Sequence, residues 1–301
     1  MGVEYVPYDP LRRVPTEHRD AEVLVAWLNP PSRLAEAATD LHEVKLVQGL
    51  MAGANTLVAA GFAEDVPICN GRGLHDQPVA EHTVALLLAA ARRLHLMRDA
   101  QHERRWSGEL GGAQPDRNPA VFTTLDASNV TIWGFGSIAA RLAPMLTALG
   151  ARVRGVATAP GTRNGYPVVG PDGLDGLLPD TDALVMILPA SDATSGALDA
   201  RRLQLLPRHA WVVNVGRGNG IDEAALVRAL EASELGGAAL DVFSEEPLPA
   251  ASPLWALPNV IISPHAAGGR PLGADAFVRE NVSRLLRGEP LLNVVDRAKG
   301  Y

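Results

Sequence analysis

Val213-Asn-Val-Gly-Arg-Gly218, Ala239-Leu-Asp-Val-Phe-Ser-Glu-Glu-Pro-Leu-Pro249 and Ser263-Pro-His-Ala-Ala-Gly268 follow one another within a short span of the chain. Each segment closes an apolar, β-branched run, the signature of a buried strand. Each then carries one chemically capable side chain into the following loop: Arg217, Glu246 and His265. Strands that alternate with helical stretches imply parallel βαβ units with right-handed crossovers. The spacing therefore predicts an α/β fold in which a cation, a carboxylate and an imidazole stand at successive strand ends of one sheet.

Two strand–helix series can be read along the chain. The second series has strands expected at 130–133, 152–157, 183–188, 211–215, 238–242 and 260–262, with helices including 138–149 and 223–231. The first has short strands expected at 4–7, 23–26, 44–49 and 67–69, separated by helical stretches such as 32–38. A long helix is expected from 78 to 105, with Pro78 suiting a first helical position and Glu81 favouring the positive helix start. A polar segment, 107–119, reads as a connector or hinge. An amphipathic helix over 273–287, stopped by Gly288, ends the second series.

The whole chain sets bounds on this reading. A length of 301 residues allows two ordinary domains. With 47% apolar and 20% charged residues, the composition is that of a soluble globular protein. The formal net charge of −7 gives no general attraction to nucleic acid or anionic lipid. Cys69 is the lone cysteine, so no intramolecular disulfide can form, and packing is its expected role. The first nine residues are acidic and interrupted by Pro7, unlike a signal peptide. The longest apolar run, 84–91, is too short to span a bilayer and reads as a buried helix. A cytoplasmic location without a membrane partner is the expectation.

Trp133-Gly-Phe-Gly-Ser-Ile-Ala139 follows an apolar strand and opens a helix, the context that gives a glycine-rich turn meaning. Gly134 permits the tight turn, Gly136 lets backbone approach a pyrophosphate, and Ala139 stands where a third glycine is common. Amides near Ser137 and Ile138, with the helix dipole, suit phosphate charge. An acid that would grip ribose hydroxyls is expected about twenty residues on, and Ala157 stands there instead. Thr158 and Arg163 suit a 2′-phosphate, although Arg163 also reads as a solvated loop residue. The missing acid leans the cofactor towards NADP, with NAD not excluded.

Reduction of a 2-oxo acid needs a cationic fork for the carboxylate, a proton for the carbonyl oxygen and a hydride for the carbonyl carbon. Arg217 suits the fork, because guanidinium pairs bidentately with carboxylate. His265 suits the general acid, and Glu246 suits holding that imidazole and favouring its charged form. No His/Cys cluster suggests a metal, and this chemistry needs none. Of the other histidines, His75 and His82 flank the start of the long helix and are the two placed to approach a cleft.

Together these segments resemble the D-isomer-specific 2-hydroxyacid dehydrogenase family over nearly all of the chain except its beginning. The resemblance implies a Rossmann-type nucleotide-binding domain inserted into a smaller flavodoxin-like substrate domain, here expected as 96–269 within 1–95 and 270–301. It implies Glu246, immediately before Pro-Leu-Pro, rather than Glu245 as the working acid. It implies Leu188, Pro189, Thr194 and Val215 on the nicotinamide side, with Asp241 bonded to the carboxamide. Val47-Gln-Gly-Leu-Met-Ala-Gly-Ala-Asn55 is similar to the family's carboxylate-binding turn. Backbone amides near Met51, Ala52 and Gly53 would thus bind the substrate carboxylate, with Met51 shaping the side-chain pocket. The family also has an extra strand and helix before the segment matching 3–9, which is not found here.

The implied activity is an NAD(P)H-dependent reductase of glyoxylate, hydroxypyruvate or a larger 2-oxo acid, with D stereochemistry and a homodimer paired through the long-helix region. A nucleotide-sensing corepressor on the same fold is the alternative, because such relatives keep the same three residues. A formate or phosphite dehydrogenase would carry extra polar groups near its carboxylate-binding loop, and none is found around Met51.

Overall fold

Continuous apolar strands flanked by helices give the chain its layers. The computed structural model describes residues 2–112 and 120–297, so part of the expected 107–119 connector, 113–119, lies outside the described residues. Eleven strands occur among the described residues. They are β1 Val23–Ala26, β2 Leu46–Gly49, β3 Ile68–Cys69, β4 Asn129–Trp133, β5 Arg152–Val156, β6 Gly161–Arg163, β7 Tyr166–Val169, β8 Ala183–Met186, β9 Trp211–Asn214, β10 Gly237–Leu240 and β11 Val260–Ile262. The chain divides into two compact units, Met1–His75 with Arg270–Tyr301, and Asp76–Gly269.

The larger unit holds an eight-stranded sheet in the order β11-β10-β9-β8-β4-β5-β7-β6. Its neighbours are parallel except for the β6–β7 hairpin. From β7 to β10 this is the Rossmann order 3-2-1-4-5-6, with the switch point between β4 and β8. Strands β8, β9 and β10 are buried throughout. A parallel sheet covered on both faces buries every side chain, hence the unbroken apolar runs instead of alternation. The helix Ser137–Ala148 closes one face with Ala139, Leu142, Ala143 and Leu146, all fully buried. Their i, i+3, i+4, i+7 spacing forms a single apolar stripe.

Register then decides where the loops emerge. Trp133 pairs with Met186, Met186 with Asn214, Asn214 with Leu240, and Leu240 with Ile262. The residues that follow these strands therefore leave the sheet at one level, along its carboxyl edge. Open α/β sheets bind ligands in the crevice outside that edge.

The smaller unit has a three-stranded parallel sheet, β1-β2-β3. The end of the chain completes it. Asn281, fully buried on the helix Ala274–Arg287, donates to Gln48 Oε1 at 2.6 Å. Val295 N–H donates to the Ile68 carbonyl at 2.8 Å.

Several expected elements differ. Residues 4–7 form no strand: they pair with no other strand among the described residues, and Val3, Tyr5 and Val6 are exposed. Apolar alternation without a ladder partner does not hold a strand. The expected helix 78–105 is two helices, Asp76–Ala91 and Leu94–His102, broken where Arg93 turns left-handed at φ 53°. Pro78 is the third residue of the first of these, tolerated because first-turn amides have no intrahelical acceptor. Val79, Ala80, Leu86, Leu87 and Ala90 of that helix belong to the core of the larger unit. The division thus falls after His75 rather than at 95/96. The β6–β7 hairpin was not anticipated.

Candidate active site

Asn214, the last residue of β9, clamps the arginine loop from below. Its Oδ1 accepts from Gly216 N–H at 3.1 Å, and its Nδ2 donates to the Arg217 carbonyl at 3.0 Å. The flanking glycines are required by close approach. A Cβ on Gly216 would lie 2.6 Å from Leu188 N, and one on Gly218 1.9 Å from Phe243 O. The loop is wedged between the ends of β8 and β10, which fixes where Arg217 leaves the sheet. The half-buried guanidinium donates to the Gly216 carbonyl at 2.7 Å and has no carboxylate partner among the described residues. Most of its five N–H groups stay open to an anion.

Next along the edge, His265 Nδ1 lies 2.7 Å from Glu246 Oε2. Glu246 Oε1 accepts the Phe243 N–H at 3.0 Å, so one oxygen anchors the carboxylate to its own loop while the other holds the imidazole. Glu245 is exposed and makes no such contact. With Nδ1 engaged, Nε2 is the nitrogen left for a reacting group. His265 is left-handed at φ 52°, a conformation disfavoured for most side chains and more often tolerated by His.

Asp241 holds that conformation. Its carbonyl accepts the His265 N–H at 2.8 Å, its Oδ1 the Ala266 N–H at 2.9 Å, and its Oδ2 the Ala267 N–H at 3.0 Å. Oδ1 also takes the Ser263 hydroxyl at 2.5 Å. The residue is only 1% exposed. Burial raises the carboxyl's pKa, but the hydrogen bonds from His82, Ser263, Ala267 and Ala266 outweigh it and hold the value below the ordinary one. Both carboxylate oxygens of Asp241 thus accept from the loop that carries His265.

At the switch point Gly134 has φ 103°, and a Cβ there would lie 2.3 Å from the Ile187 carbonyl oxygen. Only glycine allows β4 and the end of β8 to approach so closely. Gly136 is exposed, with nothing within 4 Å of where its Cβ would be. It precedes the helix Ser137–Ala148, whose first amides, at Ser137 and Ile138, lack intrahelical acceptors. An open glycine before free helix-start amides fits a dinucleotide pyrophosphate. The Ser137 hydroxyl donates to Asp76 Oδ1 at 3.1 Å. Thr158 is exposed beyond β5. Arg163, on β6, donates to the carbonyls of Phe135 at 2.7 Å and Ala159 at 3.0 Å. It ties the glycine turn to the loop after β5 rather than reaching freely outward. Thr194 staples its own loop, donating to the Pro189 carbonyl at 2.6 Å, next to half-buried Leu188. Val215 is buried in the core.

In the smaller unit, Met51, Ala52 and Gly53 are exposed, and their three amides meet no acceptor among the described residues. Successive free amides make an anion-binding concavity. His75 is buried, stacked on Trp27, with Nε2 2.7 Å from the Leu50 carbonyl. It supports the turn.

Residues 84–267 match the family model described as the NAD binding domain of D-isomer specific 2-hydroxyacid dehydrogenases. The chain belongs to the D-isomer specific 2-hydroxyacid dehydrogenase family. A glyoxylate/hydroxypyruvate reductase A of Salmonella newport is 31% identical over 300 residues, covering 95% of this chain and 89% of that protein. A D-isomer specific 2-hydroxyacid dehydrogenase from Xanthobacter autotrophicus, solved with NADPH and MES, superposes with a TM-score of 0.76 at 33% identity, over 99% of this chain and 88% of that one. An NADPH-dependent glyoxylate/hydroxypyruvate reductase from Sinorhizobium meliloti, solved with NADP and sulfate, gives 0.77 at 27% identity, over 95% and 89%. The corepressor alternative has no support among these relatives.

This dehydrogenase is thus an NAD(P)-dependent enzyme whose larger unit carries the cofactor domain. Sequence reasoning placed His82 near a cleft without a partner and gave Ser263 no role. His82 Nε2 is 2.9 Å from Ser263 Oγ, a pairing between positions 181 residues apart that no local pattern reveals. A cavity of about 800 Å³ lies elsewhere, near Trp211, Gly236 and Asn259, at the starts of β9, β10 and β11. None of Arg217, Asp241, Glu246 and His265 lines it.

Proposed function

We propose that the dehydrogenase reduces small 2-oxo acids of the glyoxylate and hydroxypyruvate class to D-2-hydroxy acids. In this reading it uses NADPH at least as well as NADH. The observation that carries the proposal is the His265–Glu246 pair on adjacent loops of the carboxyl edge, beside an Arg217 without an acidic partner among the described residues.

In this reading Arg217 pairs with the substrate carboxylate. Glu246 accepts Nδ1–H in both protonation states of His265, so proton exchange takes place at Nε2. The imidazolium Nε2–H donates to the carbonyl oxygen as negative charge develops there, and the neutral ring takes the hydroxyl proton in reverse. Bound NADPH supplies the hydride. Gly136 and the amides of Ser137 and Ile138 would hold its pyrophosphate. Ala157 presents no charge against a 2′-phosphate, and Thr158 offers a hydroxyl donor.

The names of the Salmonella and Sinorhizobium proteins support the substrate class, and the NADPH and NADP in the solved relatives support the cofactor. The test is oxidation of NADPH and NADH on adding glyoxylate, hydroxypyruvate, pyruvate and larger 2-oxo acids. Fastest turnover with glyoxylate or hydroxypyruvate is the expected result. Absence of cofactor oxidation with every 2-oxo acid would overturn the assignment.

A further inference from the structure

We propose that His82 is a positioning residue for the reaction, holding the His265 loop through the Ser263 hydroxyl and the buried Asp241 carboxylate. The inference rests on His265 being the proton donor.

The three side chains form a directed chain. Ser263 has one hydroxyl proton, and it goes to Asp241 Oδ1. Ser263 Oγ must therefore accept from His82, which requires a proton on Nε2 at 2.9 Å. That nitrogen also lies 3.4 Å from Asp241 Oδ1. His82 sits on the helix Asp76–Ala91, which belongs to the core of the larger unit, so the donor has a rigid base. At the other end, Asp241 accepts the amides of Ala266 and Ala267 through its side chain and that of His265 through its carbonyl.

These contacts surround a left-handed histidine on both sides in sequence. Ser263 precedes it by two residues, and Ala266 and Ala267 follow it. A buried carboxylate depends on having its donors satisfied. If the donation from His82 is lost, Ser263 Oγ is left without a fixed donor. The hydroxyl can then rotate away, and Asp241 holds the loop with fewer partners. The consequence is a shift of His265 against the substrate. His82 is 26% exposed through its side chain, so water can fill the gap without unfolding the helix. The residue type matters because the chain needs one N–H donor at the Nε2 position. The Nε2 of a glutamine can reach a similar point.

The experiment uses the full chain with NADPH and glyoxylate. His82→Leu should lower kcat about ten- to a hundredfold, the scale of a misplaced catalytic group, while NADPH affinity and KM change by no more than about twofold. His82→Gln should restore most of kcat. Ser263→Ala should resemble His82→Leu, and the double variant should be no slower than either single one. In a His265→Ala background, His82→Leu should have no further effect on kcat. Wild-type kcat in His82→Leu, a loss that glutamine does not rescue, or a full additional loss in the His265→Ala background each overturns the proposal. If His265→Ala itself turns over normally, the assignment of His265 fails and this inference fails with it. If His265→Ala is inactive while His82→Leu is unaffected, only the role of His82 falls.

Discussion

Glu246 and His265 stand on adjacent strand-end loops, with Oε2 of one 2.7 Å from Nδ1 of the other, and both side chains partly open to solvent at 35% and 42%. The carboxylate is fastened by the Phe243 amide, so the imidazole is oriented by a group that is itself fixed. His265→Ala should reduce turnover by about two to four orders of magnitude with the fold intact. Circular dichroism and a steady-state assay on the same sample check this, and normal turnover would remove His265 from the mechanism.

Glu246→Gln replaces the carboxylate that accepts from His265 Nδ1 with an amide whose oxygen accepts more weakly and whose N–H can face the ring instead. The imidazole is then held less firmly, and kcat should fall by about tenfold or more while NADPH affinity stays near normal. Steady-state kinetics and a fluorescence titration with NADPH measure this. An unchanged kcat would show that Glu246 does not hold the ring for the reaction.

Arg217→Ala should weaken 2-oxo acid use while leaving NADPH affinity near normal. Hydrogen bonds to charged groups contribute about 1.5–3 kcal/mol, so kcat/KM should fall by about tenfold or more. Fluorescence titration with NADPH separates the two effects. A collapse of cofactor binding would make Arg217 a structural residue or a phosphate ligand.

Ala157→Asp places a carboxylate at the end of β5, where it should repel a 2′-phosphate and grip ribose hydroxyls. The ratio of kcat/KM for NADPH to that for NADH should fall. Arg163→Ala should loosen the tie between the Phe135 and Ala159 carbonyls and impair use of both cofactors. A parent enzyme that uses NADH much better than NADPH would show that another residue sets the choice.

Asp241→Asn replaces an acceptor of several hydrogen bonds with a side chain that presents an N–H to them. A loss of about 1–3 kcal/mol at neutral pH is expected. The folded pKa of Asp241 lies below its ordinary value of 3.8. Its stabilising contribution is therefore fully present above that value and is lost as pH falls through the folded one. Chemical denaturation should show the stability gap between parent and variant narrowing only below about pH 4. An equal gap at all pH values would separate the effect from ionisation.

Much of the site could be read from the chain alone because strand ends and turn glycines are local signals. The apolar runs before Arg217, Asp241 and Ser263 identify buried parallel strands without reference to any partner. Gly134-Phe-Gly136 likewise identifies a turn between a strand and a helix. Arg217, Glu246 and His265 could thus be nominated, and the α/β class inferred, from residues near one another in sequence.

What the tertiary structure decided are the relationships that depend on distant partners. Register set the strand ends level, so that three nominated side chains lie along one edge. Arg93 broke the long helix without a glycine or proline to announce it. The β6–β7 hairpin turned Arg163 onto the Phe135 carbonyl. Asp241 fastens the loop that carries His265, with His82 arriving from a remote helix. Composition and periodicity report which side chains are buried and how often they recur. They carry no information on which buried polar group meets which, because that is settled only when every donor and acceptor in the closed core has found a partner.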